Sequence, residues 1–413
     1  SMSPLPPSFV ILAVLLSSSA HAQFCPLNSG DTVRKIVACT PEVTTNACRK
    51  LAQSVGCAVV RELPSINAIV VEIPAFRADG AETTLRRAFQ VDFVETDKII
   101  NWLKAATVAP PAPTARFAFD DVARDILKRM AALKPVAVAE GEQPWGIRRV
   151  NAAASWTTPR GQGQGSAVAI IDTGISRTHP DLIGVVIGGF NALDPNRPDA
   201  WDDDEGHGSH VAGTIAGKRD GKGVVGVAPL AKLYAVKVLD ANGNGGFSSV
   251  IAGIEWAAKH GIKVANMSLG ADEGSEALKR AVTAANKAGL LIVAAAGNSG
   301  GSVDFPANYP ETIAVAASDI KNNVPDFSSR GPEVDFIAPG VDVKSVKMDG
   351  GWVEMSGTSM ATPHVAGLAA LAVARGASTP AAVRAALKKA ATPLAGLATT
   401  LQGMGMIDAG NLP

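Results

Sequence analysis

The chain has 413 residues, 47% of them hydrophobic and 18% charged, which is enough apolar material for a large core and more than one domain. Lys plus Arg and Asp plus Glu both number 38, so nothing in the balance points to nucleic acid or an anionic membrane as a partner. Near the front, FVILAVLLSSSAHA (Phe9 to Ala22) is a short apolar run followed by an Ala-x-Ala site, the pattern of a secretory signal over residues 1–22, although no Lys or Arg precedes it. The run is well under the ~20 apolar residues that span a bilayer. After its removal no membrane attachment is expected, and the product is read as secreted or periplasmic. All four cysteines, Cys25, Cys39, Cys48 and Cys57, follow closely. In an oxidising compartment they allow two disulfides in any of three pairings, and their spacing matches no Cys/His metal pattern.

Residues 33–104 read as strand, helix, two strands, helix, strand. The runs are VRKIVACT, TTNACRKLAQSVG stopped at Gly56, CAVVRELPSINAIVVEIP, ETTLRRAFQ and VDFVETDKII. That order suits a small ferredoxin-like α+β sandwich. Residues 105–142 change character: ATVAPPAPTAR is Pro- and Ala-rich and extended, while DDVARDILKRMAAL sets Val122, Ile126, Met130 and Leu133 on one helical face behind Asp120 or Asp121. This is a linker with one helix.

From residue 143 to 413 strands alternate with helices. SAVAIID, AKLYAVKVL, KVANMSLG and LLIVAAAG are apolar enough to be buried on both faces, and FSSVIAGIEWAAKHG and SEALKRAVTAANKAG are helices closed by Gly261 and Gly289. The expected architecture is α/β, a doubly wound parallel sheet with its functional residues at the carboxyl ends of the strands.

Asp172 ends the first of these strands, in AVAIIDTGIS. Its Asp-Thr-Gly is shared with aspartic peptidases, but that mechanism needs two carboxylates sharing a proton, and the chain has a single Asp-Thr-Gly. His207 lies between Gly206 and Gly208 at an expected helix start, where the glycines would let a substrate backbone approach. Ser359 opens a long small-residue helix that tolerates Pro363 in its first turn. Each motif alone is equally well explained by packing. Together they supply an orienting acid, a base and a nucleophile in the chain order Asp, His, Ser.

The blocks AIIDTGISRTHPDL, GHGSHVAGTIAG, GVAPLAKLYAVKVLDANGNG, NMSLG, AAAGNSG and GTSMATPHVAG, running in order through residues 143–410, resemble the signature blocks of the subtilisin-like serine peptidases. The resemblance implies a serine endopeptidase acting on polypeptides, with Ser359 as nucleophile, His207 as base, Asp172 as its orienter, and Asn298 beside the Ser359 N–H as oxyanion donors. It implies substrate-binding edges at Gly245 and Gly246 and at Ser268, Leu269 and Gly270, which would pair with an extended peptide. Asp304 matches the base of the P1 pocket, where a carboxylate would favour Lys or Arg, unless it points to solvent or caps its loop. It further implies calcium as a structural cofactor, held by Asp181, Asp220 and the carbonyls of Lys218, Lys222 and Val224. The side-chain ligand taken from near the mature N-terminus falls on Gly141, so the match is incomplete. A weaker cation site is suggested near Glu333 and Asp335.

Residues 33–103, especially INAIVVEIP and VDFVETDKI, resemble the family's inhibitory propeptide. The protein would then be a zymogen, a monomer inhibited by its own leader, cut first after Leu103 or Lys104, with a second cut near residue 140 needed to remove the linker. Two rivals are an inactive binding protein on the same fold and a serine esterase. No triad residue is lost, and GTSMA is not the Gly-x-Ser-x-Gly elbow of that esterase fold.

Overall fold

The computed structural model describes residues 31–103 and 141–413. The signal-like run, Cys25 and the linker helix lie outside them. In the leader, β1 (Thr32–Cys39), α1 (Thr45–Ser54), β2 (Ala58–Leu63), β3 (Ala68–Pro74), α2 (Ala78–Arg87) and β4 (Val91–Thr96) form a four-stranded antiparallel sheet in the order β2-β3-β1-β4 backed by the two helices. Thr44 caps α1 by accepting the Ala47 N–H. Helix α2 starts earlier than its sequence suggests and runs straight through Gly80, because Ala78, Ala81 and Leu85 bury a common face. Cys39 and Cys48 are bridged, whereas Cys57 is a buried free thiol. One of the two possible bridges is thus formed, and a second would need Cys25, which lies outside the described residues. Burial of Cys57 raises its thiol pKa against the nearby Arg77 charge.

The larger part is built on β6 (Ala167–Asp172), β7 (Val186–Asn191), α3 (His207–Ala216), β8 (Lys232–Lys237), β9 (Asn244–Gly246), α4 (Phe247–Lys259), β10 (Val264–Met267), α5 (Glu276–Lys287), β11 (Leu291–Ala295), β12 (Ile313–Ser318), β13 (Val334–Pro339), the hairpin β14 (Val343–Val346) and β15 (Trp352–Met355), α6 (Thr358–Ala374), α7 (Pro380–Ala390), β16 (Ala391–Thr392) and β17 (Met406–Ile407). Nine strands make one sheet in the order β16-β17-β13-β12-β11-β10-β6-β8-β7, parallel except for β16 against β17. Strand β6 shows why the run is continuously apolar: Val168 and Ile170 enter the core under α3 and α6, while Ala169 and Ile171 enter the core under α4 and α5. Helix α5 is capped by Ser275, whose hydroxyl accepts the Leu278 N–H at 3.1 Å, and Glu276 in its first turn suits the positive end of the helix.

The leader docks on α4 and α5, and its Ile36, Leu63, Val70 and Trp102 share one apolar cluster with Ile251, Ile254, Leu278 and Ala281. Two leader carboxylates meet the amino ends of those helices. Asp97 accepts the Ser248 N–H and hydroxyl at 2.9 and 2.7 Å, beside Arg34, and Glu95 accepts the Ser275 hydroxyl and the Glu276 N–H. Beyond Asp97 the chain continues as β5 (Ile99–Asn101), paired with β9.

Candidate active site

Asp172 is fully buried at the carboxyl end of β6, and both its oxygens face His207 Nδ1, at 2.8 and 3.0 Å. The Asp-Thr-Gly turn is built for this contact. Thr173 N–H donates to Asp172 Oδ1, and the Thr173 hydroxyl accepts the Gly208 N–H. A Cβ on Gly208 would fall 2.1 Å from the Gly174 carbonyl, so this glycine lets α3 pack on the turn rather than admitting a substrate backbone. Gly206, at φ +114°, starts α3 so that His207 opens it.

Three residues of this corner were not singled out from the sequence. Asp203 accepts the Thr173 hydroxyl, the Glu205 and Gly206 N–H groups and both Ser209 donors, a cap four residues ahead of His207 that the run DDDEGH does signal. Glu205 accepts the His207 N–H at 2.7 Å. Lys237, buried at the end of β8, donates through Nζ to the Thr173 and Leu239 carbonyls and to Asp204. Burial disfavours the His207 imidazolium, but the Asp172 charge and hydrogen bond, helped by Glu205 and Asp203, outweigh it and hold the pKa above its ordinary value. The buried His210 and His364 have no such partners and are lowered to about 3 and about 4 by desolvation.

Ser359 is the second residue of α6, so its N–H has no partner within the helix. Its hydroxyl donates to the Ser268 carbonyl at 3.0 Å, and among the described residues no bond from it to His207 is formed. Pro363 lies in the second turn rather than the first. It lacks the N–H that would bond the Ser359 carbonyl, and the Ser268 hydroxyl donates there instead, at 2.8 Å. Asn298 Oδ1 accepts both the N–H and the hydroxyl of Thr358, at 2.8 and 2.9 Å, which fixes the amide so that Nδ2 lies toward the Gly357–Ser359 turn.

A peptide segment lies between the two expected substrate edges, and it is the leader's own. Ile99, Ile100 and Asn101 pair antiparallel with Gly246, Gly245 and Asn244. Trp102 donates its N–H to the Gly243 carbonyl at 2.9 Å, and its own carbonyl accepts the Gly270 N–H at 3.1 Å. Ser268 and Leu269 are buried beneath this edge. Asp304 is only 6% exposed, so it does not point to solvent. It is bracketed by glycines: a Cβ on Gly270 would lie 2.9 Å from its Cβ, and one on Gly297 2.7 Å from its Cγ.

Of the expected cation ligands, Asp181 accepts the Val224 N–H at 3.0 Å and the Trp352 indole N–H at 2.8 Å. The Lys218 N–H donates to the Asp181 carbonyl, and the Lys222 N–H to Asp220 Oδ1. A Cβ on Gly223 would sit 2.3 Å from Asp181 Oδ2, so glycine alone leaves room at this carboxylate. Gly141 brings no side chain to this loop, and the neighbouring Glu142 carboxylate accepts the Asp220 and Gly221 N–H groups at 3.0 and 2.6 Å. Among the described residues no three His, Cys, Asp or Glu side chains gather, so an ion here would rely on backbone carbonyls, a donor set that fits calcium. At the second expected position, near Glu333 and Asp335, the Asp335 carboxylate is ion-paired with Arg384 at 2.8 Å and accepts the Ala314 N–H.

Residues 163–406 match the model of the subtilase family. Subtilisin Savinase of Lederbergia lenta is 48% identical over 269 residues, covering 64% of this chain and 97% of the relative. The alkaline protease of Shouchella clausii is 48% identical over 269 residues, 64% of this chain and 68% of the relative. Subtilisin E of Bacillus subtilis is 47% identical over 257 residues, 61% of this chain and 66% of the relative.

The cause of the raised His207 pKa is testable directly. Glu205→Gln keeps an acceptor for the His207 N–H but removes a charge that supports the imidazolium, so the His207 titration, followed by NMR, should move to lower pH. An unmoved titration would show that Glu205 does not contribute.

Proposed function

The chain belongs to the subtilase family, and on that premise we propose that it is a serine endopeptidase exported as a self-processing, self-inhibited precursor. The observation that carries this reading is the peptide already seated: Ile99–Leu103 run extended between Gly243–Gly246 and Gly270, toward the residues that would cut it. Main-chain pairing of this kind suits extended polypeptides in general, with side-chain pockets adding specificity.

In the reaction the Ser359 hydroxyl turns from the Ser268 carbonyl to His207 Nε2 and attacks the scissile carbonyl carbon as the imidazole takes its proton. Asp172, bonded to Nδ1, stabilises the imidazolium. The oxyanion is met by Asn298 Nδ2 and the Ser359 N–H. The proton passes to the leaving amine, an acyl-enzyme forms on Ser359, and water activated by His207 releases it.

Asp304 is the proposed base of the P1 pocket, and its burial between Gly270 and Gly297 supports a preference for Lys or Arg. Such a preference favours the first cut after Lys104. Calcium is the proposed occupant of the loop 218–224, held by Asp181 and loop carbonyls, with Glu142 bracing the turn. It would supply stability rather than chemistry. Export rests on the signal-like residues 1–22, and no described helix is long and apolar enough to cross a membrane.

Four outcomes are expected. Wild type should yield a shortened chain by intact mass with a new N-terminus after residue 103 or 104, and Ser359→Ala should stay uncut; a shortened Ser359→Ala chain would rule out self-processing. Asn298→Ala should lower kcat by about 10²- to 10³-fold, a magnitude measured on subtilisin itself, with KM little changed. In a peptide library Asp304→Ser should lose the preference for basic P1 residues, whereas a library in which wild type shows none would remove Asp304 from specificity. For the cation, a chelator should lower the thermal midpoint of wild type, and Asp181→Asn should make the midpoint insensitive to calcium.

A further inference from the structure

The leader segment in the cleft is longer than the strand that names it. The Phe247 N–H donates to the Lys98 carbonyl at 3.3 Å, so main-chain pairing starts at Lys98, continues through Ile99, Ile100 and Asn101, and ends at Trp102 with the Gly243 carbonyl. At the far end of this ladder the Lys98 ammonium is hydrogen-bonded and ion-paired with Glu273. Glu273 belongs to the segment that continues the second substrate edge, three residues past Gly270, whose N–H holds the Trp102 carbonyl. One extended peptide therefore has its main chain read by both edges and a cationic side chain read by a carboxylate at the outer end.

From this we infer that Glu273 is a specificity-determining residue of the released enzyme, forming an outer subsite that takes a Lys or Arg side chain at the position Lys98 holds in the leader. The inference rests on the proposed reading of Lys98–Leu103 as a substrate-like strand. It concerns a position five or six residues upstream of the one that Asp304 would meet, depending on whether the cut follows Leu103 or Lys104. The contact borders a cavity of about 430 Å³ between the leader, at Glu95, Lys98 and Ile100, and the wall formed by Phe247, Asp272 and Glu273. Both partners are open to water, with side-chain exposures of 55% for Lys98 and 75% for Glu273, so the contact acts as a selectivity bias and not as an anchor. Nearby charges share the field. Lys98 is also followed along the wall by Asp272, and Glu95 of the leader is engaged with Ser275 and the Glu276 N–H.

The test uses the enzyme released from the full chain and the peptide KIINWLKAA, the chain's own residues 98–106, beside versions carrying Lys98→Ala and Lys98→Glu. Wild type is expected to cleave the Lys peptide with a kcat/KM about 3-fold above the Ala peptide, the range of an exposed ion pair, and to disfavour the Glu peptide. The difference should lie in KM, since the contact is remote from the reacting bond, and it should shrink in 1 M salt. In Glu273→Gln the Lys and Ala peptides should become equal. Equal rates for the two peptides in wild type, or the same ratio in wild type and Glu273→Gln, would overturn the outer subsite while leaving the peptidase reading intact. Cleavage of none of the peptides by wild type would overturn both.

Discussion

Pro363 cannot donate the hydrogen bond that the Ser359 carbonyl would receive in an uninterrupted helix, and the Ser268 hydroxyl supplies it from outside. The exchange is reciprocal, because the Ser359 hydroxyl rests on the Ser268 carbonyl. Two bonds between the same two residues tie the first turns of α6 to the end of β10, and through it to the edge on which Gly270 holds a peptide. Ser359 and the segment held at Gly270 are thus joined through one residue pair as well as through the sheet. A helix-interior proline costs ~3 kcal/mol or more when nothing compensates. Here the defect is what binds helix and substrate edge together.

The opposite side of the site is held by charge. Asp172, Asp203 and Glu205 surround the amino end of α3, while Lys237, at the end of β8, is ion-paired with the neighbouring Asp204 and ties down the Thr173 and Leu239 carbonyls. The anionic surroundings favour the imidazolium against the burial that opposes it. His210, three residues on along the same helix, has burial without the carboxylates and moves the other way, down to about 3. Neighbouring histidines on one helix are thereby given opposite electrostatic roles, and only one is fitted to hold a proton in passing.

Much of this was legible in the chain itself. The continuous apolar runs ending in Asp172 and Met267 announced buried parallel strands, since β6 has to face cores on both sides. What escaped depended on contacts distant in sequence. Pro363 looked like a first-turn proline because its partner, Ser268, lies 91 residues before the carbonyl it bonds. Glu142 stood one place from Gly141, and only the fold shows its carboxylate meeting the loop amides at Asp220 and Gly221. Asp335, on β13, reads from the sequence as part of a cation site, and the fold pairs its carboxylate with Arg384 of α7. Acidic residues can be read from a sequence, but whether an ammonium, an amide or an ion neutralises them is a tertiary matter.

The shared packing of the leader with α4 and α5 also limits how evolution can treat it. Ile36, Leu63 and Trp102 interlock with Ile251, Ile254 and Leu278 in one close-packed cluster, and two helix ends are closed by leader carboxylates. A change of volume on either side is felt by the other, as it would be inside a single core. A leader of different side-chain volumes would meet this surface with mismatches felt on both sides, whereas one that keeps the buried volume would still fit.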